Sequence, residues 1–163
     1  LRMHLEYDAQ EKGFIERMAQ DGLEPRGDAI LFNEVREEVD AFTTRLFAHP
    51  KPPTAVFCNN DAYALIAIRA ARRNGLRVPQ DLSIIGYGDY FLSQMADPAL
   101  TTITEPYEEV GRIACKYLLD EIASSTKTSL KQEVRKEINV RLVERESTAY
   151  INQANANNHG SPA

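Results

Sequence analysis

Two short apolar runs separated by a helix-length segment constrain the fold of this chain more than any other feature. Residues 54–58 (TAVFC) and 82–86 (LSIIG) have the length and composition of strands buried on both faces. Between them, Asn59-Asn60-Asp61 favours the start of a helix, and Gly75 favours its end because glycine accepts a left-handed cap. Two buried strands joined by a helix predict a right-handed βαβ unit, and therefore a parallel sheet.

Helix and strand patterns alternate on both sides of this unit. The predicted helices, each with apolar residues at helical spacing, cover residues 7–22, 34–48 and 106–122. The predicted strands, short apolar or alternating segments, cover residues 29–32, 100–103 and 131–143. Such alternation predicts an α/β domain in which helices cover both faces of a parallel sheet.

Composition narrows the class of protein. A net charge of −5 over 163 residues argues against nucleic-acid binding by this part, because phosphate contacts need a concentrated basic surface. Cys58 and Cys115 are expected to be small buried thiols in a reducing compartment, which predicts a cytoplasmic location. No apolar run approaches the roughly 18 residues of a membrane span, and no signal peptide is present. Because the first residue is Leu1, we expect the chain to be part of a longer protein.

Nothing in the sequence predicts catalysis. His4, His49 and His159 lack the spacing of metal ligands, and no nucleophile or phosphate-loop motif is present. The neighbouring carboxylates of Glu108 and Glu109 do not face each other on a helix. We therefore expect neither an enzyme nor a cofactor or metal.

Polar residues follow both strands of the βαβ unit. In parallel sheets, ligands bind beyond the carboxyl ends of the strands, where Asn60-Asp61 and Gly88-Asp89 are predicted to lie. Amide and carboxylate groups there can bind sugar hydroxyls, which present both donors and acceptors. Helix capping is the alternative role for Asn60 and Asp61.

The longest of these patterns resembles a known family. PTAVFCNNDAYALIAIRAARRNGLRVPQDLSIIGYGDY, PALTTI and LVERESTA resemble the effector-binding region of the lac/gal repressor family, in its order and spacing. The resemblance covers about residues 10–149 and implies a two-lobed, periplasmic-binding-protein-like fold, truncated at the N-terminus. It assigns residues 1–103 to the C-terminal lobe and 104–141 to the N-terminal lobe, and it implies that residues 142–150 return to the C-terminal lobe. Residues 151–163 are expected to form a disordered tail.

The resemblance also implies a binding site and an interface. The predicted ligand-binding positions are Gln10, Asn60, Asp61, Asp89 and Tyr107, and the last four are expected to line one cleft. The family's usual acidic side chain is replaced by Gly88, so Asp89 or Tyr90 contributes instead, or the ligand is unusual. Gln10 stands where the family commonly has an arginine, which weakens any expectation of an anionic effector. The implied homodimer interface contains Leu65, Ile66, Leu92 and Met95.

Two functions are compatible with these features. In the first, the chain senses a small molecule, presumed from the resemblance to be a sugar, and controls operator DNA through a head outside this sequence. In the second, it is the solute-binding protein of a sugar transporter, because that class shares the fold. What precedes the domain, a DNA-binding head or a secretion signal, would distinguish them.

Overall fold

A four-stranded sheet forms the centre of the molecule. The computed structural model describes residues 5–23, 36–123 and 136–150. The strands, in their order across the sheet, are β1 Ala55–Phe57, β2 Ser83–Tyr87, β3 Thr101–Thr104 and β4 Arg141–Val143. The first three strands are parallel, and β4 runs antiparallel to β3. The predicted parallel pairing of the two apolar runs is confirmed.

Five helices accompany the sheet: α1 Leu5–Gln20, α2 Arg36–Phe47, α3 Asp61–Arg73, α4 Phe91–Met95 and α5 Tyr107–Ala123. Two of them end as the sequence predicts. Gly22 has φ +70° after α1, and Gly75 has φ +76° after α3. In both, a backbone N–H beyond the glycine returns to the last turn of the helix, which satisfies a carbonyl that would otherwise lack a partner.

Helices lie on both faces of the sheet, as predicted. Helices α2 and α3 cover one face, and the core there is formed by Leu46, Phe47, Ala64, Ala67, Ile68, Ala70, Ala71, Leu82, Ile84 and Leu100. Val56 packs against this core. The next residue, Phe57, stacks on Phe14 of α1 with ring centroids 6.3 Å apart. Because successive strand residues face opposite sides, α1 lies on the other face.

The segment after β4 ties the middle of the sheet together. Ser147 is fully buried, and its hydroxyl donates to Ile84 O at 2.6 Å. The same hydroxyl accepts from Thr101 N at 2.8 Å, while Ser147 O accepts from Ile84 N at 2.9 Å. One side chain thus bridges β2 and β3 near their amino ends.

The structure corrects one strand prediction. Within the described part of the predicted strand over 131–143, Arg141–Val143 forms a strand and residues 136–140 have no regular structure. In β4, Arg141 pairs with Thr104, so earlier residues would have to pair with the chain beyond β3. That chain reaches Pro106, which lacks an N–H, and enters α5. The predicted strand at 29–32, residues 131–135 and the tail from 151 lie outside the described residues.

Candidate ligand-binding site

Asn60 begins α3 at the carboxyl end of β1. Its Oδ1 accepts from Ala62 N at 2.8 Å, so the side chain caps the helix. Its amide nitrogen points the other way and lies 3.5 Å from the Tyr90 hydroxyl. Capping therefore uses only the oxygen of Asn60, and the nitrogen remains directed at the surface beyond the sheet.

Asp61, the next residue, is buried and hydrogen-bonded within the protein. It is 1% exposed and accepts hydrogen bonds from Tyr90 N at 2.9 Å and from Ser93 Oγ and Thr102 Oγ1, both at 2.5 Å. A Cβ on Gly86 would lie 2.2 Å from its Oδ1, so this glycine makes room for the carboxylate. Its carboxylate therefore holds the loop after β2, and a ligand contact through Asp61, which would have to replace these hydrogen bonds, stays a prediction.

Asp89 is also engaged within the protein. It has φ +52°, and its carboxylate lies 2.5 Å from Arg145 Nη2. Arg145 in turn donates to Leu100 O at 2.8 Å, and both side chains of the pair are less than one-fifth exposed. The predicted ligand contact through Asp89 would have to compete with this ion pair.

Two tyrosines flank Gly88, which has φ +125°. A Cβ at this position would lie 2.9 Å from Tyr90 Cζ, so the Tyr90 ring occupies the space of a side chain. On the other side, the Tyr107 hydroxyl donates to Gly88 O at 3.0 Å. Tyr90 and Tyr107 are each about half exposed. We refer to Asn60, Gly88, Tyr90 and Tyr107, which are linked by these contacts, as the tyrosine cluster.

Burial and nearby acidic groups raise the pKa of Tyr107 in this cluster and of Cys58, two residues before Asn60. Partial burial raises the pKa of Tyr107, and the charges of Glu105, Tyr90, Asp61 and Asp89 raise it further. Burial, with a smaller contribution from Asp61, raises the pKa of Cys58 at the end of β1 to about 12. Near neutral pH, Tyr107 is therefore a hydrogen-bond donor and Cys58 is a neutral thiol.

Gln10 lies on α1, one turn before Phe14, which stacks on the last residue of β1. Its Oε1 is buried and accepts no hydrogen bond within the described part of the chain. A buried amide oxygen without a donor costs about 1–3 kcal/mol. Gln10 is therefore the predicted site residue with an unused acceptor, although the structure places it on a different element from the tyrosine cluster.

Sequence reasoning missed Arg145, which holds Asp89. This arginine lies within the LVERESTA segment, but its partner is 56 residues away in sequence. A long-range pair of this kind has no periodic or motif signal. The sequence offered Tyr90 as one of several residues that could replace the side chain missing at Gly88. It did not predict the position of the Tyr90 ring, because that position depends on the backbone of the loop.

The predicted interface residues are partly accessible. Leu92 and Met95 on α4 are 65% and 68% exposed, whereas Leu65 and Ile66 on α3 are half-buried. Leu65 also lines a shallow groove with Ile68, Arg69, Arg72 and Ala96. The described surface therefore presents apolar side chains on both segments.

Two further observations concern metal binding and membrane spanning. Among residues 5–23, 36–123 and 136–150, no group of three His, Cys, Asp or Glu side chains is placed to hold a metal ion. Every helix in the same residues is too short or too polar to cross a bilayer.

Comparison with known proteins identifies the family. Residues 4–148 match the family described as periplasmic binding protein-like domain. The chain belongs to this family. It is 38% identical over 141 residues to the HTH-type transcriptional repressor PurR of Serratia proteamaculans, covering 86% of this chain and 40% of that repressor. The match with repressors confirms the resemblance seen in the sequence.

Solved structures agree with this assignment. A LacI family transcriptional regulator from Bifidobacterium animalis superposes with TM-score 0.76 at 31% identity, covering 88% of this chain and 51% of that one. The transcriptional regulator CelR in complex with cellobiose superposes with TM-score 0.73 at 29% identity, covering 83% and 40%. The chain thus spans about half or less of the proteins it matches. These relatives are regulators, so of the two expected functions they favour an effector-binding domain of a regulator over a transporter component.

Proposed function

We propose that this chain senses a small polar molecule, of the sugar class, for a transcription regulator whose DNA contacts are made elsewhere. The observation that carries the proposal is the tyrosine cluster at the carboxyl ends of β1 and β2. It offers an amide nitrogen, two phenol hydroxyls and two half-exposed aromatic faces. Sugar rings match this combination, because they have hydroxyl edges and apolar faces. CelR, a structural relative, was solved with cellobiose.

The second part of the proposal concerns domain organisation. We propose that residues 1–103 and 142–150 form one lobe, and that 104–141 belongs to the other. Helix α5 supports this, since none of its residues is buried. Its apolar side chains instead face outward: Val110, Tyr117, Leu118, Leu119 and Ile122. An amphipathic helix with an uncovered apolar side is expected to pack against another body.

Tyr107 then connects the ligand to the lobe arrangement. It is the first residue of α5, and its hydroxyl holds the Gly88 carbonyl of the other lobe. A ligand that contacts both Tyr107 and the Gly88 loop would favour one lobe arrangement over another. Ligand binding shifts a conformational equilibrium only by its differential affinity for the two states, and such a contact supplies that difference.

Binding by these 163 residues alone is expected to be weak. Asn60, Tyr90, Tyr107 and Gln10 provide four neutral hydrogen-bonding groups, and each net hydrogen bond contributes about 0.5–1.5 kcal/mol. Their sum, about 2–6 kcal/mol, brackets the roughly 4 kcal/mol of a millimolar dissociation constant. Titration with D-ribose, D-glucose and cellobiose, followed by amide NMR shifts, tests the proposal.

We expect millimolar binding with shifts centred on Asn60, Gly88, Tyr90 and Tyr107. The variant Tyr107→Phe should weaken the affinity about 2- to 12-fold, because it removes one hydrogen-bonding hydroxyl. The matched control is Tyr117→Phe, which makes the same change at an exposed tyrosine farther along α5. The proposal fails if none of the sugars shifts these resonances at tens of millimolar, or if the shifts centre elsewhere.

Homodimerisation is proposed through α3 and α4. Leu65, Ile66, Leu92 and Met95 would contribute apolar area, and a standard interface buries about 800 Å² per partner. Sedimentation equilibrium should show a dimer that Leu65→Lys dissociates, because the lysine charge would be desolvated. The control Leu118→Lys, on α5, should leave that dimer intact. A chain that stays monomeric at high micromolar concentration would contradict this part of the proposal.

A further inference from the structure

We infer that Tyr90 is the specificity-determining residue of this site and that it selects an uncharged ligand over an anionic one. The inference rests on the proposed function. It adds that the ligand is uncharged and that Tyr90 is the residue that selects it. Its starting point is the position of the Tyr90 ring, which fills the space of the missing side chain at Gly88. A neutral phenol thus occupies the place where a longer residue at 88 would reach the ligand.

The backbone of Tyr90 is fixed by a hydrogen bond to a buried side chain. Its N–H donates to the buried carboxylate of Asp61 at 2.9 Å, and Ser93, three residues later, donates to the same oxygen at 2.5 Å. The ring is free above this anchor, with 47% of the residue exposed. A side chain whose backbone is fixed and whose ring face is accessible is suited to contact a ligand and to discriminate between ligands.

The hydroxyl of Tyr90 lies 3.5 Å from Asn60 Nδ2, at the long limit of a hydrogen bond. A ligand hydroxyl placed between the two groups could accept from the amide and bond to the phenol. This exchange would cost little, because the existing contact is long. Tyr90 and Asn60 are therefore a pair of neutral groups aimed at the same ligand atom.

Charged side chains near this pair oppose an anion. The guanidinium of Arg145, which reaches this loop at Asp89, is already bonded to Asp89 and to Leu100 O. The carboxylates of Glu105, Asp61 and Asp89 lie close enough to raise the pKa of Tyr107. An anionic ligand would therefore be repelled by Glu105 and Asp61, while the charge of Arg145 is already offset by Asp89. An uncharged ligand would not be repelled.

The test compares matched neutral and anionic probes on the full 163-residue chain by NMR titration at low salt. The pairs are D-ribose with D-ribose 5-phosphate and D-glucose with D-glucuronate. We expect each neutral member to bind at least about fivefold more tightly, the effect of one like charge near a protein surface. The substitution Tyr90→Arg should reverse this order by placing a cation at the same point, and Tyr90→Phe should weaken neutral binding about 2- to 12-fold.

The control is Tyr150→Arg, which adds the same charge at a fully exposed tyrosine and should leave the order unchanged. The inference is overturned if the anionic members bind as well as the neutral ones, or if Tyr90→Arg leaves the order intact while the sugars still bind. Those results would leave the proposed function standing. Absence of binding by every probe to the unsubstituted chain would overturn the proposed function and this inference together.

Discussion

Helices α3 and α5 have similar sequence patterns but opposite environments. Both carry apolar residues at helical spacing, and both follow a strand of the parallel sheet. Helix α3 buries Asp61 and five apolar residues against the sheet and α2, whereas no residue of α5 is buried. An apolar stripe predicts that a helix needs a partner, but it does not say where the partner is.

The difference has a consequence for stability. In the α3 region, side chains contribute both apolar burial and hydrogen bonds that have no access to water. In α5, the polar contacts are surface pairs such as Arg112–Glu108 and Lys116–Asp120, which contribute little. Changing chemically matched residues in the two helices is therefore the direct way to test the comparison.

The largest expected effect comes from a buried and an exposed aspartate. Asp61→Ala leaves three donors without an acceptor. At about 1–3 kcal/mol each, we expect the free energy of unfolding to fall by at least roughly 3 kcal/mol. Asp120→Ala, on α5, should cost less than about 1 kcal/mol, because its partner Lys116 is largely exposed. Urea unfolding measures both. Equal losses would show that the Asp61 network does not support the fold.

Two isoleucines form the next pair. Ile68→Ala on α3 creates a cavity in the core, which should cost roughly 2–4 kcal/mol. Ile122→Ala on α5 should change the unfolding free energy by less than about 0.5 kcal/mol, because this side chain is 71% exposed. The measurement is again urea unfolding, at low protein concentration. A large cost for Ile122→Ala would mean that α5 is covered in solution, for example by a second copy of the chain.

The smallest effect is a pH dependence that distinguishes the two cysteines. Burial raises the pKa of Cys58 from 9.0 to about 12 in the folded protein. Between these values the unfolded state has lost a proton that the folded state keeps. Stability should therefore fall as pH rises, by about 1.4 kcal/mol per pH unit from this group. Cys58→Ala should remove that part of the slope.

Cys115 is exposed on α5, so the expectation that it is buried was wrong, and it provides the control. Cys115→Ala should retain the full pH slope, and native alkylation near pH 8 should modify Cys115 but not Cys58. A slope that is unaffected by Cys58→Ala, or rapid alkylation of Cys58 in the folded chain, would contradict the raised pKa of this partly buried thiol.

Local sequence signals determined the elements that depend on neighbouring residues. The apolar runs around Val56 and Ile84, the capping side chain of Asn60 and the glycine at 75 act within a few residues of themselves. Their physical effects, namely burial periodicity, satisfaction of helix-end groups and access to positive φ, are short-range. The βαβ unit and its parallel pairing followed from them.

The tertiary structure decided which polar groups remain available. Asn60 and Asp61 are adjacent and chemically similar, yet Asn60 is partly exposed and Asp61 is buried. Asn60 is the N-cap and has extended backbone, whereas Asp61 is the first helical residue and lies on the side of α3 that docks on the sheet. Asp89 is neutralised by Arg145 from a distant segment, and the Tyr90 ring settles over Gly88 only in the folded loop. Each outcome depends on contacts between residues far apart in sequence, which no local pattern contains.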